Sequence, residues 1–331
     1  MEVKIESKEK KVVRSNDLFS SFKKNENKNT TFTFIDLFAG IGGTRLGFER
    51  AGGECVFTSE WDTNCQKTYQ ANFGEIPYGD ITKISEDEIP DFDILLAGFP
   101  CQPFSSIGKR QGFSHATQGT LFYDVLRIIK HKRCKAFFLE NVPGLITHDK
   151  GNTFRTIISS LEELGYSVFY KILNAADYGV PQQRKRVYIV GFKKGDGQVD
   201  FVFPEGFNSK AYIGDYIELG AGGYSISKHL QDSYLFKKND GRPVIVDKDS
   251  KIQIKTLVSS YHKIQRLTGT FVKDGETGLR LLTERECKVA MGFPIDYIIP
   301  VSRTQMYRQL GNSVVVPVVE VIAKEIVKKL N

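Results

Sequence analysis

From Thr31 onward, short apolar runs alternate with amphipathic stretches. The runs are Phe32–Phe38, Cys55–Ser59, Ile94–Phe99, Ala136–Leu139, Val168–Leu173 and Val187–Phe192. Their length and apolar content predict strands. Between them, Leu121, Val125, Ile128 and Ile129 recur at helical spacing, as do Phe154, Ile157, Ile158 and Leu161. Helices are expected at Thr44–Ala51, Asn64–Phe73, Gly119–Lys132 and Thr153–Leu164. Strand and helix in alternation predict an α/β fold, a doubly wound and mostly parallel sheet with helices on both faces. Ligands on such sheets lie at the carboxyl ends of the strands. Gly40, Glu60, Asp80, Cys101 and Asn141 all fall there.

Three segments depart from the alternation. Residues 1–30 are rich in Lys, Glu, Asn and Ser without a sustained apolar period, and read as a mobile N-terminal arm. Residues 31–192 form the main body. Residues 193–279 are Gly- and Lys-rich, with strand-like pieces at Pro243–Val246, Ile252–Val258 and Gly269–Val272 and a turn at Asn239-Asp240-Gly241, so a smaller loop-rich region is expected. In 280–331 the helical pattern returns at Thr283–Met291, where Thr283 and Glu286 make a capping box. A last helix is expected over Ser313–Leu330, with Pro317 in its first turn.

Composition narrows the classes. The nearest approach to a membrane-length apolar run, Val314–Ala323, is broken by Pro317 and Glu320. The N-terminus lacks an apolar signal-peptide core, so a cytoplasmic protein is expected. The five cysteines contain no C-x-x-C pair, and the five histidines are scattered. Neither a disulfide framework nor a metal site is legible. The net charge is +7, yet residues 31–192 sum to −1, so the excess lies before and after the main body. A bias of that kind suits a phosphate-bearing partner, and suits many other soluble proteins too.

Chemistry concentrates at the strand ends. Phe38-Ala39-Gly40-Ile41-Gly42-Gly43 follows a strand and opens a helix, where glycines let backbone N–H groups approach a ligand. Arg45 stands where a dinucleotide fingerprint has its third glycine, which disfavours a dinucleotide. Glu60 can accept two ribose hydroxyls, Trp61 offers an adenine a flat face, and Asp80 is placed for an adenine amino group. A tight strand-to-helix turn with surface acids fits the same residues. Gly98-Phe99-Pro100-Cys101-Gln102-Pro103 holds a cysteine between two prolines, which keep the chain out of helix. A thiol there becomes a nucleophile only when its thiolate is favoured, and Arg186 is a cation able to do so. Glu140, after four apolar residues, is expected to be partly desolvated and raised in pKa, as a general acid requires. Arg184 and Arg186 share one strand face and suggest a ligand clamp, with a solvated edge as the alternative. Gln102–Gly119 is long enough for a lid that brings Ser105 and Lys109 to a phosphate backbone.

These motifs in this order resemble the DNA (cytosine-5) methyltransferases of restriction–modification systems. The resemblance spans Phe32–Phe192 and Leu281–Lys329, through Phe-x-Gly-x-Gly, Glu60-Trp61, Gly79-Asp80-Ile81, Pro100-Cys101-Gln102, Gly119-Thr120-Leu121, Glu140-Asn141-Val142, Gln182-x-Arg184-x-Arg186 and Gly311-Asn312-Ser313-Val314. It implies a cofactor, S-adenosyl-L-methionine, on Phe38, Ala39, Gly40, Ile41, Gly42, Gly43, Glu60, Trp61, Asp80, Ile81, Pro100 and Leu121, closed by Asn312, Ser313 and Val314. It implies a duplex DNA substrate whose target cytosine is flipped out. Cys101 would add to C6, Glu140 would engage N3, Arg186 would hold O2 and Arg184 would support the site. Residues 193–279 would be the target-recognition region, with Thr256-Leu257 resembling its short signature. A bacterial monomer that protects DNA from a cognate restriction enzyme is expected. The family's acidic pair and arginine before Gly119 are replaced here by Ser114–Gln118. The same chemistry would serve an RNA methyltransferase; the 193–279 insert and the Ser105 context fit DNA better.

Overall fold

The computed structural model describes residues 30–99, 121–195, 199–207 and 210–330. Every predicted strand of the main body forms. In chain order the first half comprises β1 (Phe32–Leu37), α1 (Gly43–Arg50), β2 (Gly53–Ser59), α2 (Thr63–Phe73), β3 (Ile94–Ala97), α3 (Leu121–Lys132), β4 (Ala136–Asn141), α4 (Gly144–Thr147), α5 (Asn152–Glu163), β5 (Tyr166–Asn174) and β6 (Lys185–Lys193). The six strands make one sheet in the order β2-β1-β3-β4-β6-β5. Only β6 runs against the rest, antiparallel to both β4 and β5. The fold is therefore the expected mostly parallel α/β sheet.

Strand residues alternate between two cores. Phe34, Leu96 and Phe138 face one cluster, while Ile35, Leu95 and Phe137 face the other. Both faces are covered, which is why these runs read as continuously apolar. The helices α3 and α5 supply the second cluster through Val125, Ile128, Ile129, Ile157 and Leu161. Because β1 sends the chain outward to β2 while β3 lies on its other side, the crevice at their carboxyl ends is the switch point of the sheet.

Beyond β6 the chain forms α6 (Lys228–Leu230), β7 (Val244–Val246), β8 (Thr270–Val272), α7 (Glu284–Met291), α8 (Arg303–Asn312) and α9 (Val316–Leu330). The Thr283–Glu286 capping box is present. In contrast to the expectation, Ile252–Val258 is not a strand; its ladder shrinks to a bridge between Gln182 and Ile254. The reason is that its polar groups are taken by other parts of the site. The helix α8 was not foreseen, since only Met306, Tyr307 and Leu310 give it an apolar face. Its start is marked by Ser302, whose hydroxyl accepts from the Gln305 N–H at 3.4 Å. Pro317 falls in the first turn of α9, and α9 packs along α1 with Arg50 paired to Glu320 at 3.3 Å. Among the described residues, no helix is long and apolar enough to cross a membrane, and no cluster of His, Cys, Asp or Glu could hold a metal.

Candidate active site

The loop after β1 is built by left-handed backbone. Phe38, Gly40 and Gly42 have φ of 58°, 56° and 79°. Phe38 is the costly one, since a side chain there carries strain of about 1–3 kcal/mol. The loop is held to the end of β2: Ala39 N–H donates to Ser59 O at 3.0 Å, and Gly40 N–H to Glu60 Oε2 at 2.8 Å. Glu60 Oε1 accepts from Asp62 N–H at 2.8 Å. Each Glu60 oxygen keeps a lone pair for a ligand hydroxyl. Burial holds the Glu60 carboxyl above the usual range, opposed by these amide donors. A methyl built on Gly40 would meet nothing within 4 Å, so the space above the loop is open. The Trp61 ring is 74% exposed beside it.

Asp80 is kept near by a backbone bond from Glu60 N–H to Tyr78 O and a side-chain bond from Ser59 Oγ to Gly79 O, both 2.8 Å. Its Oδ1 caps the turn at Thr82, which lowers its pKa, and Ile81 is buried next to it. Leu121 opens α3. On the far side, a Cβ on Gly43 would lie 2.7 Å from Ser313 Oγ and 3.0 Å from Val314 Cγ2. The structure thus brings the glycine loop, Glu60 and the Asn312–Val314 segment to one place. Open space above a glycine, a buried acid with spare lone pairs and an exposed indole fit a nucleoside-bearing cofactor.

Beneath this cradle Asp36 is buried without a well-aligned hydrogen bond. Burial pushes its carboxyl up to about 8, although Arg45 opposes the shift. Arg45 itself is buried, donating to Tyr69 Oη at 2.7 Å and lying over the Phe73 ring at 4.2 Å. It binds α1 to α2, which explains a long side chain where a dinucleotide loop has glycine.

The second half of the site lies at the ends of β3, β4 and β6. Antiparallel pairing sets Glu140 opposite Tyr188, so Arg186 is its diagonal neighbour on the same face. Arg186 Nε donates to Glu140 Oε1 at 2.9 Å, and both side chains are nearly enclosed, at 14% and 13% exposure. Burial holds the Glu140 carboxyl above its usual range, and Arg186 and Arg184 pull it partly back. Glu140 Oε2 faces Gly98, 3.9 Å from where a Cβ there would sit. Next along, Asn141 Nδ2 donates to Phe99 O at 2.9 Å while its Oδ1 accepts from Val142 N–H at 2.8 Å. Asn141 fixes the chain at Phe99, two residues before Cys101 in the sequence.

Arg184 does not act as a twin clamp with Arg186. It is buried, and it donates to Leu257 O at 2.9 Å, Gly311 O at 3.0 Å and Ser313 O at 2.7 Å. Both terminal nitrogens of its guanidinium are committed to main chain, while Nε is buried without a hydrogen-bond partner, so the side chain serves to position these segments. Desolvation lowers its pKa to about 9, with the neighbouring Arg186 adding to the shift. Gln182, not foreseen as a positioning residue, works alike: Nε2 donates to Ala290 O at 2.7 Å and Oε1 accepts from Leu257 N–H at 2.6 Å. Its place in Gln-x-Arg-x-Arg was the available signal. Thr256 Oγ1 donates to Gln183 O at 2.8 Å, which ties it to the same strand entrance. Pro100, Cys101, Ser105, Lys109, the Ser114–Gln118 segment and the arm at 1–29 lie outside the described residues.

Comparison with known proteins agrees with this geometry. A family model described as C-5 cytosine-specific DNA methylase matches residues 32–328. The chain is 60% identical to the type II methyltransferase M.BsuFI of Bacillus subtilis, across 92% of this chain and 75% of that protein. It is 59% identical to the type II methyltransferase M.MspI of Moraxella sp, across 90% and 71% respectively. The solved structure of the S. pombe Dnmt2 methyltransferase shares the fold, with a TM-score of 0.74 at 21% identity over 91% of this chain and 99% of that one.

Proposed function

The chain belongs to the C-5 cytosine-specific DNA methylase family and is a DNA (cytosine-5-)-methyltransferase, and from that premise we propose how its residues divide the work. The observation that carries the reading is the enclosed Glu140–Arg186 pair beside Gly98, with Asn141 gripping the chain two residues before Cys101. A raised carboxyl next to a fixed cation is poised to hold a proton against a ring nitrogen.

In this reading a cytosine leaves the duplex, at a few kcal/mol for unstacking and unpairing. Arg186 holds its O2 and orients Glu140, which protonates N3. The Cys101 thiolate forms a bond to C6, and the electrons of the C5–C6 double bond move toward C5 and the ring. S-adenosylmethionine would be held by Phe38–Gly43, Glu60, Trp61, Asp80, Ile81, Pro100 and Leu121 under Asn312–Val314, and would supply C5 with an electrophilic methyl group, its sulfonium sulfur leaving as the neutral thioether. Once C5 has bonded the methyl carbon, loss of the C5 proton to a solvent base and departure of Cys101 Sγ as thiolate restore the C5–C6 double bond, and N3 returns its proton to Glu140. Residues 193–279 select the duplex sequence. The protein works as a monomer in the bacterial cytoplasm, marking a short sequence against a cognate restriction enzyme.

The test is duplex DNA in which cytosine is replaced by 5-fluorocytosine, where the proton to be lost from C5 is missing. With S-adenosylmethionine present, the protein is expected to become covalently joined to that DNA, and the Cys101→Ser variant is not. Absence of a protein–DNA adduct through residue 101 overturns the mechanism.

A further inference from the structure

The region beyond β6 contains two exposed loops joined by one buried side chain. Arg266, in the loop between Tyr261 and β8, is 7% exposed. Its Nε donates to Leu235 O at 2.9 Å, one NH2 group donates to Lys238 O at 2.9 Å, and its fork closes on both oxygens of Asp240, one at 3.0 Å. Tyr234 Oη accepts from the Arg266 N–H at 3.3 Å. The loop so held, Phe236-Lys237-Lys238-Asn239-Asp240-Gly241-Arg242, is exposed at every residue. A polar loop with little apolar surface to bury is ordinarily left to move, because its ordering entropy has nothing to offset it. A bidentate arginine–carboxylate pair, backed by main-chain bonds, is a strong and directional restraint.

Location and chemistry suggest what the restraint serves. The Arg266 loop emerges from the active site: Gln183 N–H donates to Ile254 O at 2.9 Å, Thr256 bonds Gln183 O, and Arg184 bonds Leu257 O, nine residues before Arg266. Arg186 and Glu140 stand immediately along the same strand entrance. Asp240 is already neutralised by Arg266, so Lys237, Lys238 and Arg242 leave the first loop cationic. The second loop adds exposed Lys263, Gln265, Leu267 and Thr268. Amide side chains among cations are the residue types that pair base edges while phosphates are held.

We propose that Arg266 locks these two loops into a single duplex-facing edge, in which Asn239 and Gln265 read base edges and Lys237 and Lys238 hold phosphates. The proposal rests on the reading of the chain as a duplex-DNA cytosine methyltransferase. Arg266 is a positioning residue; the exposed side chains make the contacts.

The full-length protein is expressed in a bacterial host without cytosine-5 methylation, and the methylated sites are mapped by bisulfite sequencing. Wild type defines the site; failure to methylate any cytosine refutes the activity itself rather than this edge. Asn239→Ala with Gln265→Ala is expected to broaden the site, with near-cognate sequences gaining about tenfold or more, the scale of one lost base contact. Lys237→Ala with Lys238→Ala is expected to keep the site but make the salt dependence of DNA binding shallower by about 1.8 in log–log slope. Arg266→Lys is expected to lose discrimination while the cofactor KM stays unchanged. Lys324→Ala with Lys328→Ala on α9 is expected to change neither property. An unaltered site in the amide double variant, or an equal change in slope in the α9 variant, overturns the proposal. The decisive variants alter exposed side chains, so folding does not confound them.

Discussion

The two halves of the site are held by different kinds of contact. The floor of the proposed cofactor cradle lies within residues 36–62, with Gly40 bonded to Glu60 and Glu60 to Asp62, and one distant segment, Ser313–Val314, packs on Gly43. The base side is assembled from partners far apart, with Arg184 bonded to Leu257, Gly311 and Ser313, and Gln182 to Ala290 and Leu257. This floor of short-range turns is tied to the C-terminal segment at few points, among them Tyr297 Oη donating to Ile41 O. Arg184 and Gln182 keep these bonds only when the loop-rich region and the C-terminal segment are docked, so in the proposed mechanism cofactor closure and target engagement share one support.

This difference can be broken at its strongest point first. Glu140→Gln keeps the shape but removes the proton, and kcat is expected to fall about 10²–10⁴-fold with the cofactor Kd unchanged, measured by single-turnover methyl transfer. A matching loss of cofactor binding would mean that the halves are not separable. Arg184→Met leaves three carbonyls without their donor, at about 1–3 kcal/mol for each one that stays buried and unpaired. Urea unfolding should show a loss of several kcal/mol, and weaker binding of cofactor and DNA together. Intact binding of either one would sharpen the comparison into two independent supports. Gly43→Ala drives a methyl against Ser313 and Val314 and is expected to cost about 1–3 kcal/mol, read as a raised cofactor KM with the DNA KM little changed.

The smallest effect concerns Asp36. Its folded pKa, about 8, lies above its ordinary 3.8, so the folded state binds the proton more tightly between those values. Stability is therefore greatest at the acid end of that window and declines as pH rises through it. Asp36→Asn removes this term, and the drop in Tm from pH 5 to pH 8 should shrink by a few degrees. An unchanged pH slope would place the titration elsewhere.

Local patterns made much of this protein legible. Apolar runs such as Ile94–Ala97 read as strands because both faces of the sheet are covered, and Thr283 with Glu286 announced a helix through its own side-chain bonds. The same reasoning erred at Ile252–Val258, where apolar alternation suggested a strand but the backbone bonds go to the 182–184 segment and to Arg184. It passed over α8, whose polar composition gives too little periodicity to register.

The sequence by itself determined the parallel sheet, the glycine loop and the acids at the strand ends, because each depends on residues close along the chain. Only the tertiary structure decided that β6 runs backward. That reversal sets Arg186 diagonal to Glu140, and the docked segments far along the sequence give Arg184 its main-chain partners. A two-residue spacing is compatible with either role for an arginine, and it is the carbonyls docked around each guanidinium that separate them.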